Sequence, residues 1–158
     1  MGKTLVAYFS ASGVTAGLSK RLADAIGADL FEIKPEQPYS KADLNWQDKQ
    51  SRSSVEMDDR SSRPAIAEKI EDMGQYSTVF VGFPIWWYRE PSIIDTFMEA
   101  YSFDGITVVP FATSGSSGMG DSSKNLQELA KEAKVAEGKR FGSGASADEL
   151  KSWAQEWL

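Results

Sequence analysis

Leu5-Val6-Ala7-Tyr8-Phe9-Ser10-Ala11-Ser12-Gly13-Val14-Thr15 is the stretch on which the reading of this 158-residue chain turns. Its first half is a short, bounded run of strand formers, which predicts a buried strand. Beyond it Val14, Leu18, Leu22, Ala25 and Ile26 recur on one helical face, so a polar loop joins a strand to a helix start. Backbone N–H groups there lack partners and the helix dipole favours negative charge, which suits an anion. Ser10, Ser12 and Thr15 add hydroxyl donors, and Gly13 lets the backbone bend closely around a ligand. Ordinary helix capping needs one hydroxyl, not three. The loop has no Lys, and neither Gly-x-x-x-x-Gly-Lys nor Gly-x-Gly-x-x-Gly occurs in it. The expectation is a phosphate held by neutral hydroxyls and amides.

Composition bounds the chemistry. The length suits one domain with a real core, and 41% hydrophobic content excludes wholesale disorder. Seventeen Lys and Arg against 23 Asp and Glu leave a net charge of −6, which argues against general nucleic-acid binding. No run is apolar enough to cross a bilayer, the start shows no signal-peptide layout, and Val6 stands where myristoylation wants Ser or Thr. A cytoplasmic protein is expected. With no Cys and no His, disulfides, thiolate chemistry, His metal ligation and Ser-His-Asp catalysis are excluded. Redox or transfer chemistry must be carried by something bound.

Residues 28–34 alternate enough to predict a half-exposed second strand, which Pro35 and Pro38 end. From there to Arg63 the chain is polar, with Leu44, Trp46, Val55 and Met57 as its apolar anchors. A loop this long inside a compact domain is functional or disordered; Leu44-Asn45-Trp46 argues for an ordered excursion with room for a short helix, and both outcomes stay open. Pro64 suits a first helical turn, so Ile66, Ile70 and Met73 predict a short amphipathic helix. Residues 77–83 read as a strand covered on both faces, and Pro91 opens a helix striped by Ile93, Ile94, Phe97, Met98 and Tyr101. Residues 106–112 are the next strand, where Pro110 predicts a frayed end or a bulge. A helix bearing Leu126, Leu129, Ala130 and Ala133 follows, then a short strand Lys139-Arg140-Phe141. Ser146-Ala147-Asp148-Glu149 is a capping box before a last stripe of Leu150, Trp153, Ala154 and Trp157. Such alternation gives a parallel sheet with helices on both faces, and ligands sit beyond its carboxyl edge. The loops at Ser10, Pro84 and Thr113 should gather there.

Trp86, Trp87 and Tyr88 form the densest aromatic cluster. One indole is expected to point into the core and the other to offer its face to a flat ring, a contact worth about 1–3 kcal/mol by analogy with base stacking. Glycines and hydroxyls in the loop 113–120 let its backbone approach that ring's polar edge. A phosphate clamp, a ring platform and a Gly/Ser rim describe flavin mononucleotide (FMN) better than ATP or a sugar phosphate. On these residues the chain resembles the flavodoxin family. Ser10-Ala11-Ser12-Gly13-Val14-Thr15 matches its Thr/Ser-x-Thr/Ser-Gly-x-Thr phosphate loop. Gly82-Phe83-Pro84-Ile85-Trp86-Trp87 matches the Gly-x-Pro-x-Trp-Trp of one group, which also carries a Thr-Ser-Gly-Ser-type loop, here from Thr113.

The resemblance spans nearly the whole chain. It implies an α/β three-layer sandwich with a five-stranded parallel sheet of order 2-1-3-4-5. The single domain would cover residues 1–158, with an insertion at about 35–63. It also implies that Ser10, Ser12, Val14 and Thr15 hold the FMN phosphate with the Ala11 and Gly13 amides. Pro84, Ile85, Trp86, Trp87 and Tyr88 would line one side of the isoalloxazine. Thr113, Ser114, Gly115, Ser117 and Gly118 would line its other edge and pyrimidine end.

One departure bears on function. Many flavodoxins place an aromatic after the fourth strand, whereas residues 113–121 hold none and Met119 is their only large apolar side chain. One flavin face is then open unless Trp46 or Tyr39 covers it. The resemblance implies an electron carrier that docks to a redox partner protein through acidic surface, with no membrane partner. Acidic surroundings and a lack of nearby cations would lower the flavin potential. The alternative is an FMN-dependent NAD(P)H oxidoreductase of quinones or similar small acceptors, with the excursion walling a substrate pocket. Lys41, Lys49, Arg52, Arg60 and Arg63 would then meet a nicotinamide phosphate. The plainer reading balances these cations against acidic neighbours on a solvated face.

Overall fold

Alternation along the first strand decides the layers: Leu5 and Ala7 join one apolar cluster and Val6 the other. The computed structural model describes residues 2–114 and 118–158. In chain order the elements are β1 (Lys3–Tyr8), α1 (Val14–Ile26), β2 (Asp29–Glu32) and α2 (Arg52–Asp58). β3 (Tyr76–Pro84), α3 (Ser92–Ala100), β4 (Thr107–Thr113) and α4 (Ser122–Leu129) follow. The last are β5 (Lys134–Val135), β6 (Lys139–Phe141) and α5 (Ala147–Ala154). The strands are parallel in the order β2-β1-β3-β4-β5, with β6 sharing the outermost position against β4. This is the sheet order the resemblance implies.

Helices on both faces account for the unbroken apolar runs of β1 and β3. On one face Phe9, Val79, Val81 and Phe83 meet Ile93, Ile94 and Phe97 of α3. On the other, Val6, Phe80, Val109 and Phe111 meet Leu18 and Leu22 of α1 and Leu150 of α5. Gly82 leaves room there for the Phe111 ring, which would lie 2.3 Å from a Cβ at that position. The capping box forms, with Ser146 Oγ accepting from Glu149 N at 3.1 Å. The excursion carries α2, capped by Ser51.

The structure corrects three expectations. Residues 64–72 form no helix. Pro35 and Ile66 pair as an antiparallel bridge, with Glu36 N donating to Ala65 O and Ala67 N to Lys34 O, each at 2.8 Å. Ile66, Ile70 and Met73 still pack on the core, so an extended strap achieves the burial that the spacing demands. Its donors find other acceptors, among them Tyr101 Oη for Ile70 N at 2.9 Å.

Pro110 is neither a frayed end nor a bulge of its own strand, but sits within β4 opposite Val81. Val108 O accepts from Ala136 N at 2.8 Å on the outer side, and ladder alternation puts the missing Pro110 donor on that side too. There the neighbouring strand splits into β5 and β6. Gly138 fills the gap, its Cβ direction ending 2.3 Å from Pro110 O. Finally, α4 stops at Leu129 rather than reaching Ala133, and Lys134–Val135 become the unforeseen β5.

Candidate functional site

Loops after β1, β3, β4 and β6 meet beyond the carboxyl edge of the sheet. They enclose a cleft of about 480 Å³ lined by Ser12, Val14, Pro84, Ile85, Trp86, Thr113, Ser114, Arg140, Gly142 and Ser143. Gly13 caps α1 with φ 94°, no side chain caps the helix, and its first turn holds no carboxylate. Ser10 Oγ instead accepts from Gly13 N at 3.1 Å and tightens the loop. The start of α1 thus keeps its positive pole uncompensated by side chains. Ala11 packs against the core at the loop's base. Thr15 Oγ1 lies 2.7 Å from Thr113 Oγ1, a buried pair that ties the first loop to the end of β4.

The loop after β3 turns within two residues. Trp86 N donates to Arg89 O at 3.0 Å, and Arg89 N to Trp86 O at 3.2 Å. Trp87 at φ 48° and Tyr88 at φ 67° are both left-handed. This is the backbone of a primed hairpin turn, which favours Asn-Gly, and each bulky residue there stores roughly 1–3 kcal/mol. Gly120, at φ 58°, sits where a Cβ would come 1.9 Å from Tyr88 O, and Asp121 N donates to that oxygen at 3.2 Å. Trp86 points inward, edge-on to Phe9 at 5.6 Å and Tyr39 at 5.7 Å. Trp87 and Tyr88 point out, 44% and 75% exposed. One indole turns inward and one outward, as the sequence predicts.

Ile85 and Trp86 also border a second cleft of about 500 Å³, shared with Trp87, Tyr88, Leu44, Trp46 and Ser53. Trp46 and Trp87 in turn border a third, of about 860 Å³, with Gln47, Lys49, Ser54, Met57 and Asp58. Of the two aromatics that could cover a ring, Tyr39 is engaged elsewhere. Its hydroxyl donates to Glu56 and the Arg52 guanidinium lies 3.9 Å over its ring. Burial, then that bond, pushes its phenol well above the usual range. Trp46 stands in the cleft wall, 69% exposed.

Beneath the turn lies a buried charge cluster. Arg89 donates to Met57 O at 3.1 Å and to Ser92 Oγ at 3.2 Å, and lies 3.5 Å from Asp95 and 3.7 Å from Glu90. Asn125 donates to Glu90 Oε1 at 3.1 Å. Both Asp95 carboxyl oxygens and Glu90 Oε2 are buried without a hydrogen-bond donor. Burial first, then Glu90, pushes the Asp95 carboxyl up to about 9. Burial outweighs the dipole of α3, which by itself favours an ionised carboxylate in the first turn.

Gly118 lies on a neighbouring cleft of about 540 Å³ with Met119, Lys124, Lys139 and Arg140. Gly115 and Ser117 lie outside the described residues. Arg140, Gly142 and Ser143 are additions that the sequence reading missed, although Gly142-Ser143-Gly144 is a further Gly/Ser loop after a strand. Arg140 also corrects the expectation of no nearby cation. Within the excursion, Arg52 pairs with Glu56 at 2.9 Å, and Arg63 reaches Glu99 of α3 at 2.6 Å. Arg52 thus balances an acidic neighbour of the excursion, as the plainer reading expects, while Arg63 reaches across to α3 instead.

The sequence profile of the flavodoxin family matches residues 3–157. The chain belongs to the flavodoxin family. No curated protein matches it. Among solved structures, a protein of Bacteroides eggerthii DSM 20697 provisionally named a flavoprotein is 46% identical, with a TM-score of 0.93 over 99% of this chain and 98% of that one. A similarly named protein of Bacteroides uniformis ATCC 8492 is 48% identical, with a TM-score of 0.92 over 98% of each chain. A Lactobacillus acidophilus NCFM flavoprotein in complex with FMN shares the flavodoxin fold at 22% identity, with a TM-score of 0.74 over 99% of each chain. Tested against FMN, the group the family implies, the donor set fits. A helix start with neither side-chain cap nor carboxylate suits a phosphate, Thr113 and Ser114 offer polar groups, and exposed Trp87 offers a ring face.

Proposed function

We propose that the protein binds FMN non-covalently and carries electrons on it to and from a redox partner protein or small acceptor. The observation that carries this reading is the uncapped start of α1, which shares a continuous run of clefts with the Trp86–Trp87 turn. Bound flavin supplies the reversible uptake of electrons, while the protein supplies position and electrostatics. Ser10, Ser12, Val14 and Thr15, with the Ala11 and Gly13 amides, hold the phosphate. Pro84, Ile85, Trp86, Trp87 and Tyr88 orient the ring and exclude water from one side. Thr113, Ser114, Gly115, Ser117 and Gly118 meet its polar edge. A single domain working in the cytoplasm is the setting proposed. Among the described residues no helix is long and apolar enough to cross a membrane.

Titrating flavin-stripped protein with FMN tests the reading: saturable binding with a perturbed visible spectrum is expected. Ser12→Glu, which sets a carboxylate against the phosphate, should abolish retention. A Ser12→Glu variant that purifies as yellow as the parent would remove the phosphate assignment.

The 860 Å³ cleft between Trp46 and Trp87 favours a second reading, an FMN-dependent NAD(P)H oxidoreductase with a substrate pocket under the excursion. Anaerobic mixing of the flavin-loaded protein with NADPH separates the two. Bleaching by NADPH alone supports the oxidoreductase, and bleaching only after a separate reductase is added supports the carrier.

A further inference from the structure

The phosphate cradle read from the sequence is neutral, but the folded chain brings a cation to it. Arg140 stands in β6 opposite Ala112 of β4. Its Nη2 donates to Ser114 O at 2.7 Å and its Nε to Ser114 Oγ at 3.2 Å. These bonds fix the planar guanidinium at the end of β4, on the wall of the cleft that Ser12 and Val14 border from the start of α1. The adjoining Thr113 is bonded to Thr15 in the first turn of that helix, so the anchor of Arg140 and the phosphate loop are joined across one hydrogen bond. Among the described residues, no Asp or Glu lines this cleft. In a chain of net charge −6, its lining is therefore locally positive.

We infer that Arg140 is the charge partner of the FMN phosphate and makes the site discriminate FMN from unphosphorylated riboflavin. The inference rests on the FMN reading above and adds to it a named residue and a specificity. A guanidinium is always charged and presents a rigid fork suited to phosphate. Even without direct contact it acts across the cleft, because screening takes about 10 Å at 0.1 M salt.

The test compares dissociation constants for FMN and riboflavin in the parent protein, Arg140→Gln and Arg140→Lys, at low and high salt. Arg140→Gln should weaken FMN about tenfold, the scale of one charge-assisted bond, and riboflavin by less than about twofold. Arg140→Lys keeps the charge but loses the fork on Ser114, so it should retain most of the FMN preference. Added salt should weaken FMN binding more in the parent than in Arg140→Gln. A merely structural role moves both flavins together, and an equal loss for FMN and riboflavin overturns the inference. So does an unchanged FMN-to-riboflavin ratio in Arg140→Gln. If Arg140→Gln fails to fold, the ratio and salt response of Arg140→Lys decide: parent-like values support the charge, and no preference for FMN in parent or variant overturns it. Parent protein that binds neither flavin overturns the proposed function itself.

Discussion

Trp86 and Trp87 are adjacent in sequence and opposite in role. The sequence placed one indole inward without saying which, because that depends on the left-handed turn at Trp87 and Tyr88 and on Phe9 and Tyr39 from distant segments. The two should separate on substitution. Trp86→Ala removes edge contacts to two rings and should destabilise the fold, toward the low end of the about 3–5 kcal/mol typical for a large aromatic because Trp86 is only partly buried. Trp87→Gly relieves a backbone that costs an L-residue roughly 1–2 kcal/mol, so the flavin-free protein should gain up to about 1 kcal/mol while flavin binding weakens. Urea midpoints and FMN titrations of both variants check this. Loss of stability in Trp87→Gly would mean that the exposed indole packs more than its 44% exposure indicates.

Elements were legible where one period dominated. The α1, α3 and α5 stripes and the buried runs of β1 and β3 are strong patterns. The segment 64–73 was ambiguous because apolar residues four and three apart serve a strap as well as a helix. Gly82 marks a tight approach within β3, and Gly82→Ala should drive a methyl into the Phe111 ring and cost about 1–3 kcal/mol in urea denaturation. At the start of α3, Asp95 gives stability a pH dependence. Its folded pKa, raised to about 9 by burial and then by Glu90, lies above the value of about 4 for a free Asp. The contribution is therefore full below about pH 4 and is lost as pH rises through about 9. Arg89 and Arg63 oppose the shift without reversing it. Asp95→Asn should flatten the decline of unfolding free energy between pH 5 and 9. A slope identical to the parent's would show that the proton resides elsewhere in the cluster.

Over the whole molecule, the alternation that makes a parallel sheet was readable and so was the gathering of three loops at one sheet edge. Arg140 was not, because its place beside the first loop follows from the topology that brings β6 to β4 rather than from spacing along the chain. The sequence left the excursion between order and disorder, and its engagement of Tyr39 with Glu56 and Arg52 was not legible in it. Because FMN would bind the folded chain and not the unfolded one, flavin at a hundredfold above its dissociation constant should add about 2.7 kcal/mol of stability. Melting with and without FMN measures this, and riboflavin should add less.

The proline within β4 also shapes how the molecule meets its neighbours in a crowded solution. By denying one donor, it leaves the sheet's outer border as two stubs of two and three residues, too short to template the pairing of a stray chain. At the opposite border, the backbone just after β2 is already occupied by the strap at Ile66. Broken and covered margins are how sheet proteins avoid sticking edge to edge, so a feature that looks like damage in one strand guards against aggregation.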